Sequence, residues 1–321
     1  MDGSRTDEAP FFSDVDDGPE GGRAYWLHAD DGVRIRAGVW PLDGAKGTVL
    51  LFPGRTEYIE KYGRAAGDLA ARGYATLAID WRGQGIAERL VDDPLKGHVG
   101  VFSDYQRDVR AVLALAATLD LPQPWHLIGH SMGGCIGLRA LHEGLPVASA
   151  VFTGPMWGIL IPAAMRPVAW LLSSTASLMG LGGGYAPGTV RDAYVLANPF
   201  EGNNLTKDRE MYDYMIRQTR AHPDVALAGP TLNWLYEALK ETRDLARLRA
   251  PAYPCLTFVG ADEDIVDVPA IEAQIAKWPG ARLEHVPLGE HEVMMDGVAA
   301  RTRLFDAMAA HFDAHGEPAR G

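Results

Sequence analysis

The sequence predicts an α/β domain with a mostly parallel central sheet flanked by helices. Short apolar runs bounded by turn residues alternate with segments of helical spacing, which is typical of parallel strands joined by crossover helices. The chain has 321 residues, of which 47% are hydrophobic and 22% are charged. That length and composition are sufficient for one sizeable core that carries a large insertion.

The apolar runs predict the strands in order. Residues 23–28 and 33–40 flank an Asp-Asp-Gly turn and predict an antiparallel hairpin. The runs that follow predict further strands at residues 48–52, 75–79, 125–128, 150–152, 255–259 and 283–287. Helical spacing marks residues 62–72, 104–119, 135–142 and 298–314, and we expect the last of these helices to pack on the sheet.

A long stretch without a clear strand pattern separates two parts of the predicted core. We interpret residues 154–250 as a helical lid inserted between core segments 23–153 and 251–321. The insertion contains apolar clusters, such as WGILI at residues 157–161 and WLL at residues 170–172. Such clusters suit an acyl chain or a lipid surface, and packing onto the core is an equally good explanation for most of them.

Charge and the N-terminus limit the partners. Lys and Arg number 30 against 42 Asp and Glu, so the formal net charge of −12 repels polyanions and argues against a nucleic-acid partner. Residues 1–22 lack the basic start and apolar run of a secretory signal and predict a flexible acidic N-terminal segment. Pro162, Arg166 and Pro167 interrupt the most apolar stretch, so we predict no transmembrane segment. We expect a cytoplasmic protein that is peripheral to the membrane at most, in transient contact with a membrane or micelle surface.

The two cysteines give no sign of a metal site. Cys135 and Cys255 lie in apolar surroundings without the spacing of zinc ligands, and they predict buried free thiols. We expect neither a metal ion nor an organic cofactor.

A GHSMG pentapeptide at residues 129–133 is the first candidate for chemistry. Chance produces a GxSxG pattern in roughly one comparable sequence in ten, so its context matters. It follows the predicted strand 125–128 and opens a helix, and its glycines permit the sharp turn that exposes Ser131 at the helix N-terminus. We predict that Ser131 is a nucleophile; the alternative is a strand-to-helix turn with an incidental serine.

A serine hydroxyl needs a base to take its proton. His291 lies after the last predicted strand, in a loop before the final helix. Hydrolases with a nucleophilic serine in a strand-to-helix turn of this kind carry their histidine at such a position. His285 lies within a strand and His130 flanks the nucleophile, so we interpret both as structural. His291 is therefore the predicted base.

The remaining parts of such a site are an acid and an oxyanion hole. The acid is expected after the strand that ends at residue 259, where Asp262, Glu263 and Asp264 all lie, and spacing alone does not choose among them. The oxyanion needs backbone N–H groups, for which we predict Met132 and Arg55. Arg55 follows a proline, which has no N–H, and a glycine in the loop after an early strand.

Longer motifs elsewhere in the chain are similar to those of a known protein family. They are PGRTEYIEKY at residues 53–62, DWRGQG at 80–85, GHV at 97–99 with Phe102 and Tyr105, and GPT at 229–231 with Trp234. In these segments the chain resembles the lysophospholipase and monoacylglycerol-lipase branch of the α/β-hydrolases, most closely the bacterial lysophospholipases. The likeness covers nearly everything after residue 22 and implies the α/β-hydrolase fold.

The resemblance also bears on the acid. Aligned on Ile265-Val266-Asp267, the family's acid corresponds to Glu263, with Asp264 as the alternative. Many relatives carry Asp at this position, whereas bacterial lysophospholipase-like sequences are similar to this one in using Glu. Ala87 stands where related chains often have serine, which is not a triad member.

These observations together predict hydrolysis of carboxylic esters. The resemblance implies a lysolipid or monoacylglycerol substrate, cleaved through an acyl-enzyme on Ser131 with His291 and Glu263. Hydrolysis of small non-lipid esters or amides is an alternative, because the same triad serves many chemistries. A catalytically silent protein that keeps the fold for binding is an alternative of another class.

Overall fold

A nine-stranded sheet forms the centre of the molecule in the computed structural model, which describes residues 7–189 and 191–316. In chain order the strands are β1 (Asp7–Ala9), β2 (Arg23–His28), β3 (Arg34–Trp40), β4 (Gly47–Phe52), β5 (Tyr74–Asp80), β6 (Trp125–His130), β7 (Ser149–Thr153), β8 (Cys255–Gly260) and β9 (Arg282–Val286). Their spatial order is β1-β2-β3-β5-β4-β6-β7-β8-β9.

The direction of the strands confirms the predicted fold class. β1, β2 and β3 pair antiparallel and join β5, and every pairing from β5 to β9 is parallel. The central strands β4 to β8 are buried along their whole length. Helices cover both faces of such a sheet, which is why these strands appear in the sequence as continuous apolar runs.

The helices occupy the crossovers and the long segment between β7 and β8. They are α1 (Gly63–Ala70), α2 (Tyr105–Thr118), α3 (Met132–His142), α4 (Arg166–Leu178), α5 (Tyr194–Ala197), α6 (Arg209–Ala221), α7 (Leu232–Arg247), α8 (Val268–Ala276) and α9 (Val298–Ala314). No helix among the described residues has both the length and the apolar character needed to cross a membrane.

Alternation along the strands divides the core into two faces. On β4, Leu50 packs with side chains of α2 and α3, whereas Val49 and Leu51 face the opposite layer, where Leu69 of α1 and Phe305 of α9 pack. The final helix therefore packs on the sheet, as predicted. Cys135 and Cys255 are free and buried, which confirms the prediction for the thiols.

The segment between β7 and β8 is helical and attaches to the core through α7. Thr231 caps α7 by accepting a hydrogen bond from the Trp234 N–H at 3.1 Å, and Pro230 forms a β-bridge with Gly97. The Thr231 hydroxyl also lies 2.9 Å from His98 Nδ1. The GHV and GPT motifs therefore meet in the fold, although they are more than 100 residues apart in sequence.

The N-terminal segment differs from the expected flexible tail over residues 7–22. β1 pairs with β2, and the Asp16 carboxylate accepts a 3.0 Å hydrogen bond from the Trp40 indole N–H. The Asp16 carbonyl also accepts a hydrogen bond from the Tyr214 hydroxyl. These buried partners hold the acidic segment against the core; residues 1–6 lie outside the described residues.

A buried ion cluster connects β3 to β5. Arg36 Nε donates to Asp80 at 2.7 Å, and the Arg36 Nη2 atom lies 2.8 Å from a Glu60 oxygen. All three side chains are fully buried. The second Asp80 oxygen accepts from the Ile59 N–H, so the cluster also fixes the start of the segment that leads into α1.

Removing the cation of this cluster should destabilise the fold strongly. Arg36→Met leaves two carboxylates buried without their partner, and we expect a loss of about 3–5 kcal/mol in the free energy of unfolding. Arg34→Met is the matched control, since Arg34 lies on the same strand with an exposed guanidinium over Trp26 and should contribute about 1 kcal/mol or less. Equal losses in urea denaturation of the two variants would contradict the assignment.

Candidate active site

The turn between β6 and α3 holds Ser131 in an unusual backbone conformation. Its φ of 49° and ψ of −118° lie in a region that non-glycine residues rarely adopt. The Ser131 N–H donates to the Thr153 carbonyl at 3.0 Å, and the Ser131 carbonyl accepts from the N–H groups of Gly134 and Met156. These bonds maintain the strained conformation, which places Ser131 directly at the start of α3.

Close packing around the turn explains its glycines. A Cβ atom on Gly133 would lie 1.9 Å from the Phe52 carbonyl oxygen, and one on Gly134 would lie 2.6 Å from the Pro155 Cβ. On Gly129 a Cβ would lie 3.0 Å from the Gly133 carbonyl oxygen. The glycines at positions 129, 133 and 134 therefore allow α3 to lie close to the end of β4 and to the segment after β7.

His291 and Glu263 meet in the interior. The His291 Nδ1 atom lies 2.7 Å from Glu263 Oε2, and the Glu263 side chain is fully buried. The other Glu263 oxygen accepts hydrogen bonds from the Ile265 and Val266 N–H groups at 2.7 and 3.1 Å. Burial raises the pKa of the Glu263 carboxyl, but the contacts with His291 and these N–H groups together hold that pKa below its ordinary value.

The neighbouring carboxylates lie elsewhere. Asp264 is exposed, and the exposed Asp262 forms an ion pair with Lys207. Among the three candidates of this loop, it is Glu263 that the structure brings to His291. Gly154 leaves room for the pair, since its φ is +47° and a Cβ there would lie 3.1 Å from His291 Nδ1.

Side chains of the DWRGQG motif donate hydrogen bonds to the loop after β4. The Trp81 indole N–H donates to the Pro53 carbonyl at 2.9 Å, and Gln84 Nε2 donates to the Gly54 carbonyl at 2.8 Å. The Gly54 N–H donates to the Glu57 carboxylate. Because proline has no N–H and that of Gly54 is already engaged, the first N–H left in this loop is that of Arg55.

The predicted nucleophile, base and oxyanion residues share a cavity of about 390 Å³. Ser131, His291, Met132 and Arg55 all line it. Met132 is the first residue of α3, so its N–H has no partner within the helix. The other walls are largely apolar and include Met156, Ile159, Leu205, Met215, Leu227, Leu235, Ile265 and Val266.

A charged network, whose side chains were not predicted as site residues, also lines the cavity. Lys61 Nζ is 2.5 Å from one oxygen of Glu57 and 2.5 Å from one oxygen of Glu292, and all three side chains are buried. Glu57 also accepts from the Tyr62 hydroxyl. The motif at residues 53–62 contains three of these four residues, which is the sequence signal that pointed to this region.

His130 lies next to the two carboxylates of this network. Its Nδ1 lies 3.0 Å from the Thr153 carbonyl oxygen and 2.9 Å from the Thr153 hydroxyl, and its Nε2 lies 3.5 Å from Glu57 and 3.4 Å from Glu292. An imidazolium at this position is attracted by both carboxylates. Burial lowers the pKa of His130, but the carboxylates of Glu292 and Glu57 outweigh this and raise the pKa above its ordinary value of 6.5.

The same side chains raise the question of a metal ion. Glu57, His130 and Glu292 offer ligand atoms within 4.8 Å of one another. The Lys61 ammonium already lies between the two carboxylates, and it has no lone pair to offer a metal. A second cation at that position would be repelled, so the set fits a charge network better than a metal centre.

The sheet order, the turn at Ser131 and the buried pair of Glu263 and His291 define an α/β-hydrolase. Residues 43–297 match the family described as serine aminopeptidase, S33, and the chain belongs to this family. Lysophospholipase L2 of Escherichia coli K12 is 32% identical over 282 residues, which cover 84% of this chain and 81% of that protein. A probable lysophospholipase L2 of Haemophilus influenzae is 30% identical over 260 residues, with 80% and 81% covered.

Solved structures share the fold. A soluble variant of monoglyceride lipase from Saccharomyces cerevisiae, in complex with a substrate analog, superposes with a TM-score of 0.69 at 20% identity and covers 91% of this chain and 95% of its own. A carboxyl esterase from Bacillus coagulans gives a TM-score of 0.71 at 12% identity, with 93% and 100% covered. With the family and these relatives, the chain is a carboxylic ester hydrolase of the α/β-hydrolase fold.

The charge on His130 should make part of the stability depend on pH. Because the folded state raises its pKa, its contribution is fully present below about pH 6.5 and is lost as pH rises through the folded-state pKa. His130→Gln should therefore lower the free energy of unfolding more at about pH 6 than at about pH 10, as measured by urea denaturation. His285→Gln, on an exposed position of β9, controls for loss of an imidazole. A pH-independent difference would show that His130 is neutral in the fold.

Proposed function

We propose that this hydrolase cleaves the acyl ester of a lysophospholipid or a monoacylglycerol through a triad of Ser131, Glu263 and His291. The observation that carries the proposal is the 2.7 Å contact between His291 and the buried Glu263 at a cavity that Ser131 also lines. Relatives of the chain include lysophospholipase L2 of Escherichia coli and a monoglyceride lipase of Saccharomyces cerevisiae, which supports the choice of lipid esters.

The chemistry follows from the roles of these groups. Ser131 Oγ attacks the ester carbonyl while the His291 imidazole takes its proton. Glu263 accepts from His291 Nδ1, which fixes the ring and stabilises the imidazolium. The N–H groups of Met132 and Arg55 hold the oxyanion of the tetrahedral intermediate. His291 then returns the proton to the leaving alcohol, and water attacks the acyl-enzyme with the same histidine as base.

The apolar walls of the cavity favour an acyl chain over a small acyl group. Side chains such as Met156, Ile159 and Leu235 offer no hydrogen-bonding groups to a polar substrate. Small esters or amides remain an alternative that the same triad would serve. A protein that only binds lipid without cleaving it is a second alternative, and variants of the triad separate it from an enzyme.

Substitution of the triad should abolish turnover. Ser131→Ala removes the attacking oxygen and Glu263→Gln removes the charge that stabilises the imidazolium, so we expect kcat to fall by about 10⁴-fold or more in each. Asp264→Asn is the matched control, because this exposed neighbour should change kcat by about twofold at most. The assay follows release of fatty acid from lysophosphatidylcholine and monoacylglycerol. Unchanged turnover in Ser131→Ala, or a collapse confined to Asp264→Asn, would overturn the assignment.

The segment at residues 154–250 is proposed to act as a lid that meets the lipid surface. Leu171 and Leu178 on α4 are 70% and 86% exposed, and Met179 and Leu181 just beyond the helix are 67% and 63% exposed. Contiguous apolar exposure of this kind is typical of a surface that contacts a partner or a membrane. The expected cytoplasmic location of the protein stays a prediction.

Binding to vesicles tests this contact. The double variant Leu171→Ser, Leu178→Ser removes two apolar side chains, and we expect its partition onto phosphatidylcholine vesicles to fall by about ten- to a hundredfold in a sedimentation assay. Val298→Ser is the control, since Val298 is 71% exposed on α9, outside this surface. Equal partition of the double variant and the wild type would rule out α4 as the contact.

A further inference from the structure

We propose that the side chain of Arg55 binds the phosphate ester of a lysophospholipid and thereby selects this substrate over a monoacylglycerol. The inference rests on the proposed function, because it assigns a substrate class to the same cavity. It concerns the guanidinium, whereas the oxyanion role concerns the backbone N–H of the same residue.

Arg55 lies in the loop that packs against the proposed nucleophile. Its neighbour Gly54 approaches the nucleophile closely, since a Cβ on Gly54 would lie 3.0 Å from the Ser131 Cβ. Arg55 itself is half-buried and lines the cavity together with Ser131. The guanidinium contacts Ala228 and Trp234, which line the same cavity as Ser131.

The surroundings of the guanidinium hold it in place without neutralising it. Nη1 donates to the Ala228 carbonyl at 2.7 Å, and the guanidinium carbon lies 5.6 Å from the centre of the Trp234 ring. Within residues 7–189 and 191–316, no Asp or Glu oxygen lies within 4.0 Å of it. Nε and Nη2 have no hydrogen-bond acceptor in the same part of the chain, so these donors are free to bind a ligand.

Two buried cations of the protein, Lys61 and Arg82, are paired with carboxylates. Lys61 lies between Glu57 and Glu292, and Arg82 binds Asp108 at 2.8 Å. Burial lowers the pKa of Arg55 to about 10, which leaves it charged at neutral pH. A charge that is partly removed from water without a counter-ion is unfavourable, and an anion that enters the cavity would offset that cost.

The two candidate substrates differ in charge at the headgroup end of the glycerol. A lysophospholipid carries an anionic phosphodiester on the same glycerol as the ester, so its charge is held within one glycerol of the reacting carbonyl. A monoacylglycerol has a neutral hydroxyl there. The planar guanidinium matches phosphate oxygens with paired donors, which makes arginine well suited to this group.

The test compares two substrates that share one acyl chain, lysophosphatidylcholine and monoacylglycerol, on Arg55→Met. Met keeps the backbone N–H and much of the side-chain volume while removing the charge. We expect the ratio of kcat/KM for lysophosphatidylcholine to that for monoacylglycerol to fall by roughly ten- to a hundredfold, the effect of losing a charge-assisted hydrogen bond. Arg55→Lys, which keeps a cation, should restore part of the ratio.

Arg89→Met is the matched control. Arg89 also donates to backbone carbonyls, those of Gly85 and Asp224, but it does not line the cavity. The ratio of kcat/KM for lysophosphatidylcholine to that for monoacylglycerol should be the same in Arg89→Met as in the wild type. A ratio unchanged in Arg55→Met, with both activities lowered in proportion, would overturn the proposal and leave Arg55 a structural role only.

Inhibition distinguishes a lipid headgroup from free phosphate. Glycerophosphocholine should inhibit the wild type competitively, and this inhibition should weaken in Arg55→Met; inhibition by inorganic phosphate alone would contradict the assignment to a lipid phosphate. Failure of the proposed function has a different signature, because the wild type would then cleave neither lipid. Cleavage of monoacylglycerol but not lysophosphatidylcholine by the wild type would retain the triad and refute the phosphate site.

Discussion

The strained turn at Ser131 is the constraint on which the site depends. A positive φ at a non-glycine residue is unfavourable by roughly 1–3 kcal/mol, so the rest of the fold must hold it. The Thr153 carbonyl and the glycines of the pentapeptide do so, since a Cβ on Gly133 would collide with the carbonyl of Phe52. The serine therefore stands at the carboxyl ends of the parallel strands, where loops from β4, β7 and β8 converge.

A buried charge network connects the loops that converge there. Glu57 binds the Gly54 N–H of the loop after β4, and Lys61 joins Glu57 to Glu292, which directly follows His291 in sequence. One chain of contacts therefore runs from the loop after β4 to the loop that holds His291. Buried ion pairs add little net stability compared with apolar packing, but they require a defined geometry, and this site uses them for position.

The sequence predicted those parts of the site that local patterns determine. Apolar runs located the central strands, and the pentapeptide located Ser131 because a turn of that kind needs glycines at fixed positions. The choice of Glu263 depended on the family resemblance, since three carboxylates share one loop and only the folded turn decides which one faces His291. β1 was not predicted because three residues with the sequence Asp-Glu-Ala have no strand pattern and depend on pairing with β2.

The central claim is that Ser131 is an activated nucleophile, and covalent labelling tests it most directly. A fluorophosphonate reacts with a serine whose proton is taken by a neighbouring imidazole and spares ordinary serines. Intact-mass spectrometry and peptide mapping of the labelled protein should give a single adduct, on Ser131, that is absent when His291 is replaced by Ala. An unlabelled wild type, or an adduct on another residue, would contradict the account.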